Sequence, residues 1–239
     1  QWLGMGRSLL ETEPVFRNVI QSCDTILQQL VSWSINRELL ADEQASRLAD
    51  TDVAQPVLVA LEIALAELLK SWGIVPDAVI GHSVGELAAA HIAGHLSLAA
   101  TLRIAALRGR LMHKAVGRGQ MAAVALAADE VRTILGDLKV EGQLDIAAVN
   151  APSAVVLSGA SEALRLARER LASRGVEVRP LRVNYAFHSP QMDGLLPKFL
   201  DRLGSIQLQP GMIPMFSTVT GRLVGTEELR PNYGAQNIR

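Results

Sequence analysis

A serine flanked by glycines, Gly81-His82-Ser83-Val84-Gly85, separates a short apolar run, Ala78 to Ile80, from an alanine-rich stretch that reaches Gly94. G-x-S-x-G between a strand and a helix predicts a nucleophile elbow, a tight turn whose glycines let strand and helix pass closely while the serine oxygen projects outward. The helix just beyond it presents unpaired backbone N–H groups and the positive end of its dipole, both suited to a developing oxyanion. Glycine and serine also build ordinary connections, so the other residues must separate chemistry from a plain turn.

A serine hydroxyl needs a base to act as a nucleophile, and the chain offers five histidines. His82 adjoins the serine, where neighbouring side chains of a turn diverge, which favours a structural role. His91 and His95 share one helix face past the elbow and read as packed or solvent-facing. His113 closes a helix beside Arg110 and Lys114, a favourable place for a cation. His188 differs: it lies in Tyr185-Ala186-Phe187-His188-Ser189-Pro190, on a loop that can reach a cleft, although position alone suits a satisfied, half-buried imidazole equally well. Arg108, between Leu107 and Gly109, also carries two readings. It can snorkel to water, or it can turn inward as a planar fork for a carboxylate, bidentate and not replaceable by lysine.

The chain that must position these groups has 239 residues, 49% hydrophobic and 20% charged, enough for one large core or a core with a smaller lobe. A formal net charge of -1 gives no electrostatic case for nucleic acid or an acidic membrane surface as partner. The single cysteine, Cys23, cannot form an internal disulfide or a cysteine metal cluster. No apolar run reaches bilayer length and no charged-then-apolar leader opens the chain, so the expected location is the cytoplasm. The start on Gln1-Trp2-Leu3 without a methionine, and the stop on Asn237-Ile238-Arg239 without a closing element, read as a piece of something longer.

Helical spacing runs from Glu13 to Val31, from Pro56 to Gly73, and from Ser97 to about Met112, while residues 34–52 carry no clear period. The middle region changes character. Strand patterns at 121–127, 144–150, 153–159 and 176–183 alternate with helical ones at 128–137 and 161–175. That order, β-α-β-β-α-β, is the split, ferredoxin-like arrangement. The expected fold is therefore α/β, with a large lobe of parallel sheet (1–118 and 185–239) into which a ferredoxin-like small lobe (119–184) is inserted.

At these residues the chain resembles the acyltransferase domain of modular polyketide synthases, related to malonyl-CoA:acyl carrier protein transacylases. The opening QWLGMGRSLL, the helix around Gln55-Pro56, GHSVGELAAAHIAG, RGRLM, YAFHS and YGAQNIR match the family's motifs in order over most of the chain. The resemblance implies an α/β-hydrolase-like large lobe and a ping-pong acyl transfer. Ser83 would take the acyl group from coenzyme A, His188 would be the base, and Arg108 would hold the free carboxylate of the extender unit. The Val84 N–H would be one oxyanion donor, and Gln55 would line the site. The second oxyanion donor and the group orienting the histidine are expected before Gln1 and after Arg239. No permanently bound cofactor is implied. The implied partners are an acyl carrier protein bearing phosphopantetheine and neighbouring ketosynthase and other synthase domains.

In that family the tetrapeptide ending at the histidine tracks the extender unit, HAFH with malonyl and YASH with methylmalonyl. Here it is the hybrid Tyr185-Ala186-Phe187-His188. A phenyl ring at 187 fills space that a C2 methyl would need, and Val84 also matches malonyl relatives, whereas Tyr185 points the other way; malonyl is the expected unit. Three rivals stand beside this reading: a serine esterase or thioesterase of the α/β-hydrolase type, a free-standing transacylase, and a non-catalytic docking domain. The esterase needs an acid between Ser83 and His188, for which Asp129, Asp137 and Asp145 are available.

Overall fold

A computed structural model of the chain describes residues 1–181 and 183–239. It forms two compact units, Gln1–His113 with Phe199–Asn237, and Lys114–Lys198 with Ile238–Arg239. In chain order the first part contains α1 (Arg7–Thr12), α2 (Pro14–Leu27), α3 (Ile35–Leu40), α4 (Thr51–Ser71), β1 (Val79–Ile80), α5 (Gly85–Ile92) and α6 (Leu98–His113). The middle part contains β2 (Gln120–Val124), α7 (Ala128–Leu138), β3 (Leu144–Ala151), β4 (Ala154–Gly159), α8 (Ser161–Ala172) and β5 (Val178–Pro180). The last part contains α9 (Leu196–Leu203), β6 (Met215–Phe216) and α10 (Pro231–Ile238).

The first unit is built on α2, α4 and α6, whose apolar faces bury Phe16, Ile20, Leu27, Val57, Leu102 and Ala106. Small residues set the spacing. A Cβ on Gly109 of α6 would lie 3.0 Å from the Thr51 carbonyl oxygen and 3.1 Å from Asp52 Cα, so the start of α4 crosses α6 at nearly backbone contact. This crossing brings the side chains at 55 and 108 within reach of each other. The helix expected from Pro56 begins at Thr51 instead, with Pro56 inside its second turn. A proline so near the helix start forfeits a single backbone bond, to the Asp52 carbonyl.

Helix α3 falls in the stretch without period. Its cause is tertiary. Asp24, buried on α2, accepts hydrogen bonds from the Ile35 N–H at 2.7 Å, Ser34 Oγ at 2.7 Å and Asn36 Nδ2 at 3.1 Å, while Ser34 Oγ accepts from the Arg37 N–H. A buried carboxylate satisfied by one helix start fixes that start more firmly than propensity would. Strands β1 and β6 pair in parallel, Val79 with Met215 and Ile80 with Phe216.

In the second unit, β3-β4-β2-β5 form a wholly antiparallel sheet. Its core joins Ala122, Val124 and Leu157 to Val131 and Ile134 of α7 and Leu164 and Leu171 of α8. This is the ferredoxin-like arrangement the sequence order predicts. The unit runs past 184, because the loop that follows β5 packs on the start of β2: Gly117 N–H donates to the Asn184 carbonyl at 2.5 Å, and a Cβ on Gly119 would meet Ala186 Cβ at 2.6 Å. His188 is therefore held by the smaller unit. Among the described residues no helix is long and apolar enough to cross a membrane.

Candidate active site

The elbow forms as its residues predict. Ser83 has φ 54°, a left-handed conformation that costs a side-chain-bearing residue about 1–2 kcal/mol. Such strain persists where the surroundings over-determine it. The two glycines are unequal. A Cβ on Gly81 would lie 2.2 Å from the Gly85 carbonyl oxygen and 2.3 Å from the Glu86 nitrogen, whereas a Cβ on Gly85 would meet the Glu62 carboxylate at an ordinary 3.5 Å. Only Gly81 is demanded by the crossing of strand and helix. Val84 is the N-cap of α5.

Arg108 turns inward. It is 2% exposed, and its guanidinium links three elements: Nη1 donates to Gln55 Oε1 at 2.7 Å, and Nη2 donates to Ser83 Oγ at 2.9 Å and to Asn237 Oδ1 at 3.2 Å. Gln55 Nε2 in turn reaches Met112 Sδ at 3.4 Å. Arg108 Nε has no acceptor among the described residues. Burial lowers the guanidinium to about 10, partly offset by the negative charge of Glu86. The arginine stays charged at neutral pH, at a cost of about 3 kcal/mol that is fully present below pH 10 and relieved only above it. A bound carboxylate would pair that charge and supply an acceptor for Nε. Water snorkelling is excluded for this residue.

Glu86, in the first turn of the elbow helix and 3% exposed, is the hub of a second network. Its Oε1 accepts the backbone N–H and the hydroxyl of Thr218, both at 2.7 Å, and its Oε2 accepts the Tyr233 hydroxyl. Tyr233 Oη also lies 2.5 Å from Ser217 Oγ. Burial, and then the Glu86 carboxylate, push the Tyr233 phenol well above its ordinary value, so it remains a donor. Tyr233 and Asn237 sit four residues apart on α10 and share its face. Asn237 Nδ2 donates to the Ser83 carbonyl at 3.1 Å. Sequence reasoning missed Glu86, Tyr233 and Asn237 as parts of the site; the i, i+4 spacing within the quoted YGAQNIR motif was the available signal.

The other histidines of the first unit have structural surroundings. His91 Nδ1 lies 2.9 Å from the Leu96 carbonyl, His95 packs on Gly211 with Nδ1 3.2 Å from Thr226 Oγ1, and His113 Nδ1 is 3.6 Å from Asp52. His82 is exposed. In the second unit His188 has φ 56° and precedes Ser189, whose buried hydroxyl donates to the Ala186 carbonyl at 2.6 Å and caps the turn Pro190–Leu195. Tyr185 and Phe187 stack on each other, ring centroids 3.8 Å apart at 13°. The three candidate triad acids are each taken by an arginine: Asp129 by Arg132 at 2.6 Å, Asp137 by Arg174 at 3.8 Å and Asp145 by Arg239 at 3.4 Å.

The elbow serine thus receives a hydrogen bond from a buried guanidinium that is itself tied to α4 and α10. The chain belongs to the acyl transferase domain family, whose model matches residues 1–239. It is 43% identical over its whole length to the polyketide synthase GfsB of Streptomyces halstedii, and 41% identical to the erythronolide synthase EryA2 of Saccharopolyspora erythraea. It spans only 4% and 7% of those two proteins. The acyltransferase domain from module 8 of the salinomycin polyketide synthase superposes with a TM-score of 0.95 at 38% identity, over all of this chain and 56% of that one. The family is one of acyl transferases.

Proposed function

We propose that this chain is a polyketide synthase domain that moves an extender unit, malonyl in preference to methylmalonyl, from coenzyme A to the phosphopantetheine thiol of an acyl carrier protein. The observation that carries the reading is the 2.9 Å contact, within the first unit, between Nη2 of the buried Arg108 and Ser83 Oγ. A cation held there sits within one acyl unit of the nucleophile, where a carboxylate two carbons from the thioester carbonyl would end.

His188 takes the Ser83 proton as Oγ attacks the thioester carbonyl. The oxyanion gains support from the Val84 N–H at the start of α5. When the C–S bond breaks, the imidazolium returns its proton to the coenzyme A sulfur. The carrier thiol then gives its proton to His188, attacks the seryl ester, and releases Ser83 with its proton restored. Guanidinium donation to Ser83 Oγ leaves the hydroxyl's own hydrogen to be given to the base. Gln55 and Asn237 hold the guanidinium while the carboxylate fixes the direction of the acyl chain. Neutral acyl groups leave the buried charge unmatched and are rejected.

The preference for malonyl rests on Phe187, whose buried ring is locked by stacking on Tyr185 and cannot readily make room for a branch. Membership of a synthase, rather than a free-standing role, is supported by relatives many times longer than this chain. The test presents the natural polypeptide containing this chain with equimolar malonyl- and methylmalonyl-CoA and reads the seryl ester by intact mass. Malonyl ester is expected to exceed methylmalonyl ester by about tenfold or more, the discrimination one methyl group can give. Equal or reversed loading would overturn the preference, and the absence of any ester would overturn the function.

A further inference from the structure

We infer that Asn237 is a positioning residue for carboxylate selectivity: its side-chain amide ties the guanidinium of Arg108 to the backbone of Ser83 and so fixes where a carboxyacyl group must lie. The inference rests on the acyl-transfer reading of Ser83 and Arg108. The amide faces two groups of fixed character. A guanidinium can only donate and a carbonyl can only accept, so the amide oxygen must face Arg108 Nη2, at 3.2 Å, and the amide nitrogen must face the Ser83 carbonyl, at 3.1 Å. Neither orientation nor partner can be exchanged. The same carbonyl accepts the Glu86 N–H at 3.2 Å, so Asn237 completes the pairing of a strained residue.

Asn237 is also delivered on a rigid support. Tyr233, four residues earlier on α10, is anchored to Glu86 of α5 and to Ser217, so the helix face that carries Asn237 is held to the elbow helix itself. The Nη2 atom that Asn237 holds is the one that reaches Ser83 Oγ. With the amide removed, the guanidinium keeps Gln55 on Nη1 and the Ser83 hydroxyl on Nη2 but loses the acceptor that braces Nη2 from α10. A neutral acyl group makes no use of that part of the guanidinium, whereas a carboxyacyl group does. Asn237 thus differs from a residue that merely stabilises the elbow, whose loss would slow every acyl donor alike.

The test compares kcat/KM for malonyl-CoA and acetyl-CoA in the natural polypeptide and its Asn237→Asp, Asn237→Ala and Arg108→Ala variants, with thermal melting as the control for folding. Asn237→Asp keeps the shape, places a competing carboxylate on Arg108 and turns an acceptor toward the Ser83 carbonyl. Its malonyl-to-acetyl ratio is expected to fall by about tenfold or more, mainly through KM for malonyl-CoA. Asn237→Ala should shift the ratio in the same direction by less. An equal loss for both donors, or no loss for either, would overturn the inference. A ratio that Arg108→Ala leaves unchanged would instead overturn the underlying role of the arginine, and the inference with it.

Discussion

Replacing Arg108 with alanine is expected to lower kcat/KM for malonyl-CoA by about 10²–10³-fold while leaving transfer from acetyl-CoA unchanged or faster. The asymmetry follows from burial. The guanidinium is held by Gln55, Ser83 and Asn237, and burial, only partly offset by the Glu86 charge, lowers it to about 10. Glu86 offsets that burial only in part, so a further carboxylate is expected to benefit from the charge where a neutral acyl group would not. Removing the cation removes the reward for the right donor and the penalty for the wrong one together. Steady-state kinetics with the two thioesters, alongside a melting curve, checks this. A parallel loss for both donors would mean that the arginine only supports the fold.

The second large effect is expected at Gly81. Gly81→Ala should abolish acyl transfer and destabilise the first unit by about 3 kcal/mol or more, because the new methyl group would be driven into the backbone of Gly85 and Glu86. No side chain can swing away to relieve that clash. The obstructing atoms belong to the first turn of α5, which also carries the Val84 cap and the Glu86 hub. Gly85→Ala, although it alters the same motif, should stay within about 1 kcal/mol of the parent, since alanine suits a helix and its Cβ would find ordinary contact distance. Urea unfolding of the two variants reads the difference. Similar losses at both positions would show that strand and helix do not cross as closely as the elbow geometry requires.

How much of this was legible in the sequence depends on the range of the interaction involved. The elbow is a local pattern, five residues that carry their own turn, and it formed where expected. The small unit's sheet was readable because each strand and helix has its own period and the order alone defines the topology. Arg108 could be read either way, since its inward turn is set by Gln55 and Asn237, which are distant in the chain. Helix α3 was invisible for the same reason: its start is fixed by Asp24 on another helix rather than by periodicity. The grip of α10 on the elbow, through Tyr233 and Asn237, joins the end of the chain to its middle. No local rule announces such a pairing. The edge of the small unit was set at 184 by the last strand pattern, yet the loop to 198 packs with that unit through Asn184 and Ala186.

The acyl ester is expected to form on Ser83 with its free carboxylate on Arg108. A crystal structure of the protein after reaction with malonyl-CoA, with His188→Ala used to slow release if the ester turns over, tests it most directly. The expected electron density is a malonyl group bonded to Ser83 Oγ whose carboxylate oxygens lie within hydrogen-bonding distance of the Arg108 guanidinium. A malonyl group on another residue, or a seryl ester whose carboxylate points away from Arg108 into solvent, would contradict it.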